Sequence, residues 1–408
     1  MLPYFHGPQG GTGLRMAPRR ESTLDLAAAQ ASPAAARVPW YIWCCVLAVT
    51  SGSVGGAWDI SWHKSIGRDT FWTPAHMAIY LCGVLAGFSC GYLILSMTFR
   101  KVPAAPCASV RVWGFRGPLG AFICAWGALA MITSAPFDNW WHAAYGLDVK
   151  ILSPPHVLLI IGMMAIRVGT LILVLGAMHQ TSGSLRARLH GLVLYSFTFL
   201  VLVAVGMFEE LLLRNYMHSA RFYLLLAAGV PLLAAALPRV SSLRWCCTVM
   251  MAVYTAFYLL LILILPLFPA EPKLGPVFQH VTHFVPPEFP LLLIVPAFFL
   301  DLWRPRWERR GAWLQSAATG ALFLAAFVAV QWPFADFLMS PASRNRFFVT
   351  NEFPYFVPPA FDWVRNVFTP VEHSPAEFWR KMLLALLSAV LSARAGLSWG
   401  DWLRRIRR

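Results

Sequence analysis

The chain has 408 residues, 58% of them hydrophobic and only 12% charged, an apolar excess that a water-soluble core of this length cannot use. Its net charge of +15 does not imply nucleic acid, because the arginines stand in short clusters between apolar runs, where they orient helices across a bilayer. The composition specifies an all-α, polytopic transmembrane helical bundle in contact with membrane lipid.

Residues 1–37 are rich in Ala, Gly and Pro and carry Arg15, Arg19 and Arg20. They read as a disordered cytoplasmic leader rather than a cleaved signal, since no small-residue cleavage site follows a separate short apolar region. Apolar runs then fall near 38–58, 74–98, 117–137, 155–177, 190–212, 220–238, 245–268, 288–303, 312–334 and 381–398. With about 20 residues needed per crossing, they predict about ten helices. The count falls to nine if the short run at 288–303 or the one containing Arg394 fails to span.

The loops alternate in charge from end to end. Arg100, Lys101, Arg111 and Arg116 follow the second run, Arg186 and Arg188 the fourth, and Arg239 and Arg244 the sixth. Arg304, Arg306, Arg309 and Arg310 follow the eighth, and Arg404, Arg405, Arg407 and Arg408 end the sequence. By the positive-inside rule this side is cytoplasmic. The opposite loops hold Glu209, Glu210, His218, His280 and His283, and an aromatic segment at 335–378 too long for a simple turn, which predicts a re-entrant or surface-lying cap.

The same side carries a duplicated polar motif. Asp59, Trp62-His63, Gly67, Asp69, Pro74 and His76 are matched by Asp138, Trp141-His142, Gly146, Asp148, Pro154 and His156, with one extra residue in the second connection. Asp and His four residues apart project from one helix face about a turn apart. Gly lets the chain reverse, and Pro restarts a helix with the second His in its first turn. Each copy can therefore converge two imidazoles and a carboxylate, a donor set suited to copper, zinc, iron or nickel that leaves a coordination position open. Asp69 and Asp148 fit either of two roles, accepting a ring N–H behind a ligand or pairing with Arg68 and Lys150. A lone Asp or His at a helix end is ordinarily a cap or an interfacial anchor; duplication of the spaced pattern argues against that here.

At these residues the chain resembles the C subunit of the copper membrane monooxygenases, the family of particulate methane monooxygenase and ammonia monooxygenase. The resemblance rests on Asp59, Trp62-His63, Arg68-Asp69-Thr70, Thr73-Pro74 and His76, and covers about 40–180, extending to about 215. It implies that Asp59, His63 and His76 are copper ligands. It also implies a neighbouring site at Asp138, His142 and His156, where Asp replaces the family's Asn, so that another divalent metal is admissible. Further implications are a bacterial inner membrane, sites near its extracytoplasmic face, a quinol or protein electron donor, A- and B-type partner subunits and a homotrimer. On this reading 38–215 is the C-subunit-like region and 216–408 an additional transmembrane region containing the aromatic segment 335–378. The competing reading is a non-enzymatic copper or divalent-metal handling protein, a chaperone or transporter.

The remaining signals are weaker. His280 and His283 can share one face of a short helix before Pro286-Pro287-Glu288, as a third metal site, a loading route or interfacial residues. Glu210 and Arg214 have the spacing of a helical ion pair, which leaves Glu209 to face the sites. Arg167 within the fourth run is costly in lipid and is expected to face a carboxylate or backbone carbonyls in the bundle. Cys44-Cys45 and Cys246-Cys247 lack Cys-x-x-Cys spacing and read as packing residues. Phosphate loops, Ser/His/Asp arrangements and c-type haem attachment are absent from the sequence.

Overall fold

Each apolar run supplies a helix because a segment in hydrocarbon must satisfy its own backbone. The computed structural model describes residues 37–67, 72–100, 109–146, 153–209, 216–358 and 371–406. In chain order the helices are α1 (Trp40–Ser65), α2 (Pro74–Phe99), α3 (Leu119–Tyr145), α4 (Pro154–His179), α5 (Gly183–Glu209), α6 (Ala220–Val240), α7 (Cys246–Ile264), α8 (Ile294–Trp303), α9 (Ala312–Met339) and α10 (Pro375–Arg405). A small antiparallel hairpin, β1 (Val110–Val112) and β2 (Phe115–Gly117), joins α2 to α3. Among the described residues, nine helices are long and apolar enough to cross a membrane.

The four helices that carry the duplicated motif pack as successive antiparallel neighbours. On α2 and α3, Gly83 lies by Met131 and Gly87 by Ala128, so the two run in opposite directions. On α3 and α4, a Cβ on Gly127 would lie 2.6 Å from the Gly162 carbonyl oxygen, and one on Gly162 would lie 2.7 Å from that of Gly127. Lipid tails provide no hydrophobic drive for helix pairing, so this backbone contact, open only to glycine, supplies the close packing that does. The alternation puts the α1/α2 turn and the α3/α4 turn at one end of the bundle.

The eighth apolar run does not form a long helix. The run at 288–303 yields only the ten-residue α8, and the chain before it is irregular. Nevertheless residues 284–303 follow α7 along its length. Phe284 N–H donates to the Phe268 carbonyl at one end (3.2 Å), and Asp301 accepts from Thr248 N–H at the other (2.8 Å). Pro286, Pro287 and Pro290 forbid a helix at its start. The freed backbone groups are met by side chains: Val285 N–H by Ser65 Oγ (2.7 Å), the Val285 carbonyl by Ser61 Oγ (2.6 Å), Leu291 N–H by Tyr254 Oη (3.3 Å) and Leu292 N–H by Gln331 Oε1 (3.1 Å). Irregular backbone is tolerated at membrane depth only when protein satisfies it. Ser61 and Ser65, on the same turns as Asp59 and His63, tie this segment to the first copy of the motif.

Of the aromatic segment 335–378, residues 335–339 end α9 and 375–378 open α10, and the described residues from 340 to 358 lie over that end of the bundle, as a cap. Tyr355 N–H donates to the Lys64 carbonyl (3.1 Å), and the Tyr355 carbonyl accepts from Phe278 N–H (2.7 Å) and Gln279 N–H (3.0 Å). The stretch 359–370 lies outside the described residues.

Candidate metal centres

Both copies are built alike. α1 ends at Ser65 and α3 at Tyr145, and each is followed by a glycine with positive φ, Gly67 at 79° and Gly146 at 94°. That conformation favours glycine and turns the chain off the helix axis. The return helices begin alike, with Thr73 and Ser153 extended at the N-cap, Pro74 and Pro154 first in the helix, and His76 and His156 in its first turn. The Thr73 hydroxyl accepts from His76 N–H at 3.3 Å, which fixes the start of α2.

In the second copy, Asp138 Oδ2 lies 3.4 Å from His142 Nε2 and Asp138 Oδ1 3.4 Å from His156 Nε2. Donor atoms of all three residues fall within 4.8 Å of one another. In the first copy, Asp59 Oδ1 is 3.3 Å from His76 Nε2 and Oδ2 is 3.9 Å from His63 Nε2, a looser set whose His63 is half exposed. The inner oxygens, Asp59 Oδ1 and Asp138 Oδ1, are buried and form no hydrogen bond, although an imidazole nitrogen stands beside each. The donors of the second copy are close enough together to share one ion. Two donors about 2.0–2.1 Å from a single ion stand roughly 2.9–3.4 Å apart at square or tetrahedral angles. The second copy meets that spacing, and the first meets it on the His76 side. Histidine and carboxylate donors at these separations fit a borderline divalent ion, copper among them.

The second copy also has a group behind a ligand: His142 Nδ1 is 3.3 Å from the Gly146 carbonyl oxygen. An N–H donated there fixes the tautomer that leaves Nε2 free to ligate. Gly146 therefore both breaks the helix and orients the imidazole. Asp69 and Asp148, with Arg68 and Lys150, lie outside the described residues.

The surroundings differ. At the first copy, Trp58, Trp62 and Ile66 pack with Leu261, Leu265, Ala270 and Phe284, which roof the adjoining face of α1. At the second, Phe137, Trp140, Trp141 and Tyr145 form an aromatic group with Trp140 and Tyr145 largely exposed, as at a membrane–water interface.

His280 and His283 do not share a helix face, because their segment is irregular. His283 closes a bridge to Pro269 and contacts Glu352 (3.0 Å), which also faces Arg346 (3.6 Å), whereas His280 is exposed. This arrangement ties the cap to the 265–285 segment. His218 stands beside Asp336 (3.3 Å) and stacks on Trp332. Arg167 is buried and hydrogen-bonds to Ser53 Oγ (2.8 Å) and the Met163 carbonyl (3.1 Å), which identifies the polar partners its position demanded. Glu209 ends α5, and Glu210 and Arg214 lie outside the described residues.

Cys45, Cys246 and Cys247 are buried as packing residues would be, and two groups of cysteines also bring donor atoms together. Cys45, Cys90 and Cys124, from α1, α2 and α3, bring their sulfurs within 4.8 Å of one another, and Cys246 and Cys247 do the same with Asp301. The latter group has a structural explanation, because Asp301 accepts from Thr248 N–H and Oγ1, both at 2.8 Å, and so caps α7. The three-helix group was detectable by counting, since each of its members stands 14 residues from Asp59, His76 or Asp138.

Compared with known protein families, with curated proteins and with solved structures, the chain matches none. What the fold and the side chains establish together is a membrane-spanning helical protein with groups of residues able to hold metal.

Proposed function

We propose that the protein is a copper-dependent membrane oxidoreductase, a monooxygenase or a C-subunit-like component of one, that oxidises a small apolar or neutral substrate with dioxygen. The observation that supports this most is the pair of carboxylate–bis-imidazole sets at one end of the bundle, each with a buried carboxylate oxygen that forms no hydrogen bond. Asp59, His63 and His76 would hold copper, and Asp138, His142 and His156 copper or another divalent ion. A bound copper with open positions supplies the capacity to bind and reduce dioxygen. The chain's own contribution is placement. The Asp carboxylates offset the ionic charge, and the Gly146 carbonyl holds the His142 ring. The aromatic roof of the first copy limits water on one side while apolar surroundings concentrate an apolar substrate.

Electrons would come from a quinol or a partner protein. A- and B-type subunits and a homotrimer belong to the same proposal. Its test is quinol-dependent oxygen uptake by the copper-loaded protein in lipid, alone and with co-purifying partners. Uptake lost in His76→Ala and His156→Ala supports the proposal. Equal uptake in parent and variants refutes it.

One observation favours a second reading, metal handling. Residues 284–303 cross as broken backbone bordered by Ser61, Ser65, Tyr254, Gln331 and Asp301, a polar column of the type found beside transport pathways. Copper accumulation by proteoliposomes, without oxygen consumption, would establish that role instead.

A further inference from the structure

We propose that Cys45, Cys90 and Cys124 form a Cu(I) site within the bundle, separate from the Asp/His sets. Three successive helices each contribute one fully buried sulfur, with Cys45 Sγ 3.4 Å from Cys90 Sγ. Cys124 Sγ approaches the Ile166 carbonyl (3.5 Å) and Thr170 Oγ1 (3.8 Å) of α4, so all four helices of the motif-bearing unit meet here. Three sulfurs about 2.3 Å from one ion stand roughly 3.8–4.0 Å apart, and small rotations of these side chains reach that spacing.

The donor set selects the ion. Soft thiolates favour Cu(I) or zinc. A structural zinc site requires four strong donors, whereas the atoms around this trio are Ser89 Oγ (3.9 Å from Cys45), a carbonyl and the Thr170 hydroxyl. Three sulfurs suffice for Cu(I).

Cu(I) that displaces two thiol protons to the solvent leaves a centre of net charge −1. The trio's spacing of 14 residues from the boundary ligands on α1, α2 and α3 sets it about 21 Å along the helices from them. That is too far for a shared ion, so the site stands or falls apart from the reading of the Asp/His sets.

The experiment uses the full chain in lipid, in a His63→Ala/His76→Ala/His142→Ala/His156→Ala background that removes the boundary ligands. Under anaerobic conditions, Cu(I) is titrated in competition with a chromogenic chelator, and the copper X-ray absorption edge is recorded. The expected result is one tightly held Cu(I) per chain with sulfur neighbours at about 2.3 Å, lost in Cys45→Ser/Cys90→Ser/Cys124→Ser and kept in Cys246→Ser/Cys247→Ser. Nitrogen and oxygen neighbours alone in the absorption spectrum would overturn the proposal, and so would unchanged Cu(I) retention in the triple serine variant. The absorption measurement needs no cysteine variant, so misfolding of the triple variant cannot mask the answer. A Cys45–Cys90 disulfide in protein kept anaerobic from the membrane onward would also overturn it.

Discussion

Replacing Gly162 by Ala is expected to damage the second metal centre from a distance. The added Cβ would stand 2.7 Å from the Gly127 carbonyl oxygen, 2.8 Å from Met131 Cγ and 3.0 Å from Met131 N. Two of those neighbours are backbone, and ordinary contact begins near 3.4 Å, so α3 and α4 must separate by roughly 0.7 Å. Asp138 lies on α3 and His156 on α4, and their 3.4 Å separation crosses this interface. A ligand set tolerates about 0.5 Å of misplacement, so the shift is large enough to matter. The cost in stability is about 1–3 kcal/mol. Metal titration of the purified variant should show second-site affinity reduced about tenfold or more, with the first copy, on α1 and α2, unaffected. Unchanged affinity at the second centre, in a variant whose melting temperature has fallen, would refute the coupling between glycine packing and ligand placement.

Other expectations follow from single contacts. Asp138→Asn keeps shape but removes the charge that faces two imidazoles, and should lower divalent-metal affinity about tenfold or more in a metal titration; the equivalent Asp59→Asn should do the same at the first copy. Gly67→Ala forces a side chain into φ 79° and against the Tyr355 hydroxyl, so thermal unfolding in detergent should report about 1–2 kcal/mol from strain alone, and more from the displaced cap. Ser65→Ala leaves the buried Val285 N–H unsatisfied at about 1–3 kcal/mol. Hydrogen exchange across 284–293 should then accelerate while α7 stays protected.

Hydropathy and the duplicated spacing made most of the architecture legible. Asp-x-x-Trp-His-x-x-x-Gly encodes a helix end, its turn and two candidate donors in one line, and the structure brings Asp138 and His142 together with His156 of the next helix. The broken crossing was less legible. The apolar run at 288–303 signals a helix, but Pro286, Pro287 and Pro290 withhold backbone donors at its start, and the groups that compensate, Ser61, Ser65, Tyr254 and Gln331, are remote in sequence. Likewise, His280 and His283 suggest a shared helix face only if the segment is helical, and the same prolines and the bridge to Pro269 hold it irregular. Cys45, Cys90 and Cys124 fit no local metal-site spacing; their common offset of 14 residues from Asp59, His76 and Asp138 sets them at one level, but their convergence depends on three separate helices packing in register.

The measurement that bears most directly on the central claim is metal content by mass spectrometry with electron paramagnetic resonance, on protein purified in lipid beside a His63→Ala/His142→Ala double variant. The account expects metal bound by nitrogen and oxygen donors in the parent, with a nitrogen-coordinated Cu(II) signal, and its loss in the variant. A parent that binds no metal after copper loading, or a variant that keeps all of it with the same signal, would contradict the assignment of Asp59, His63, His76, Asp138, His142 and His156 as ligands.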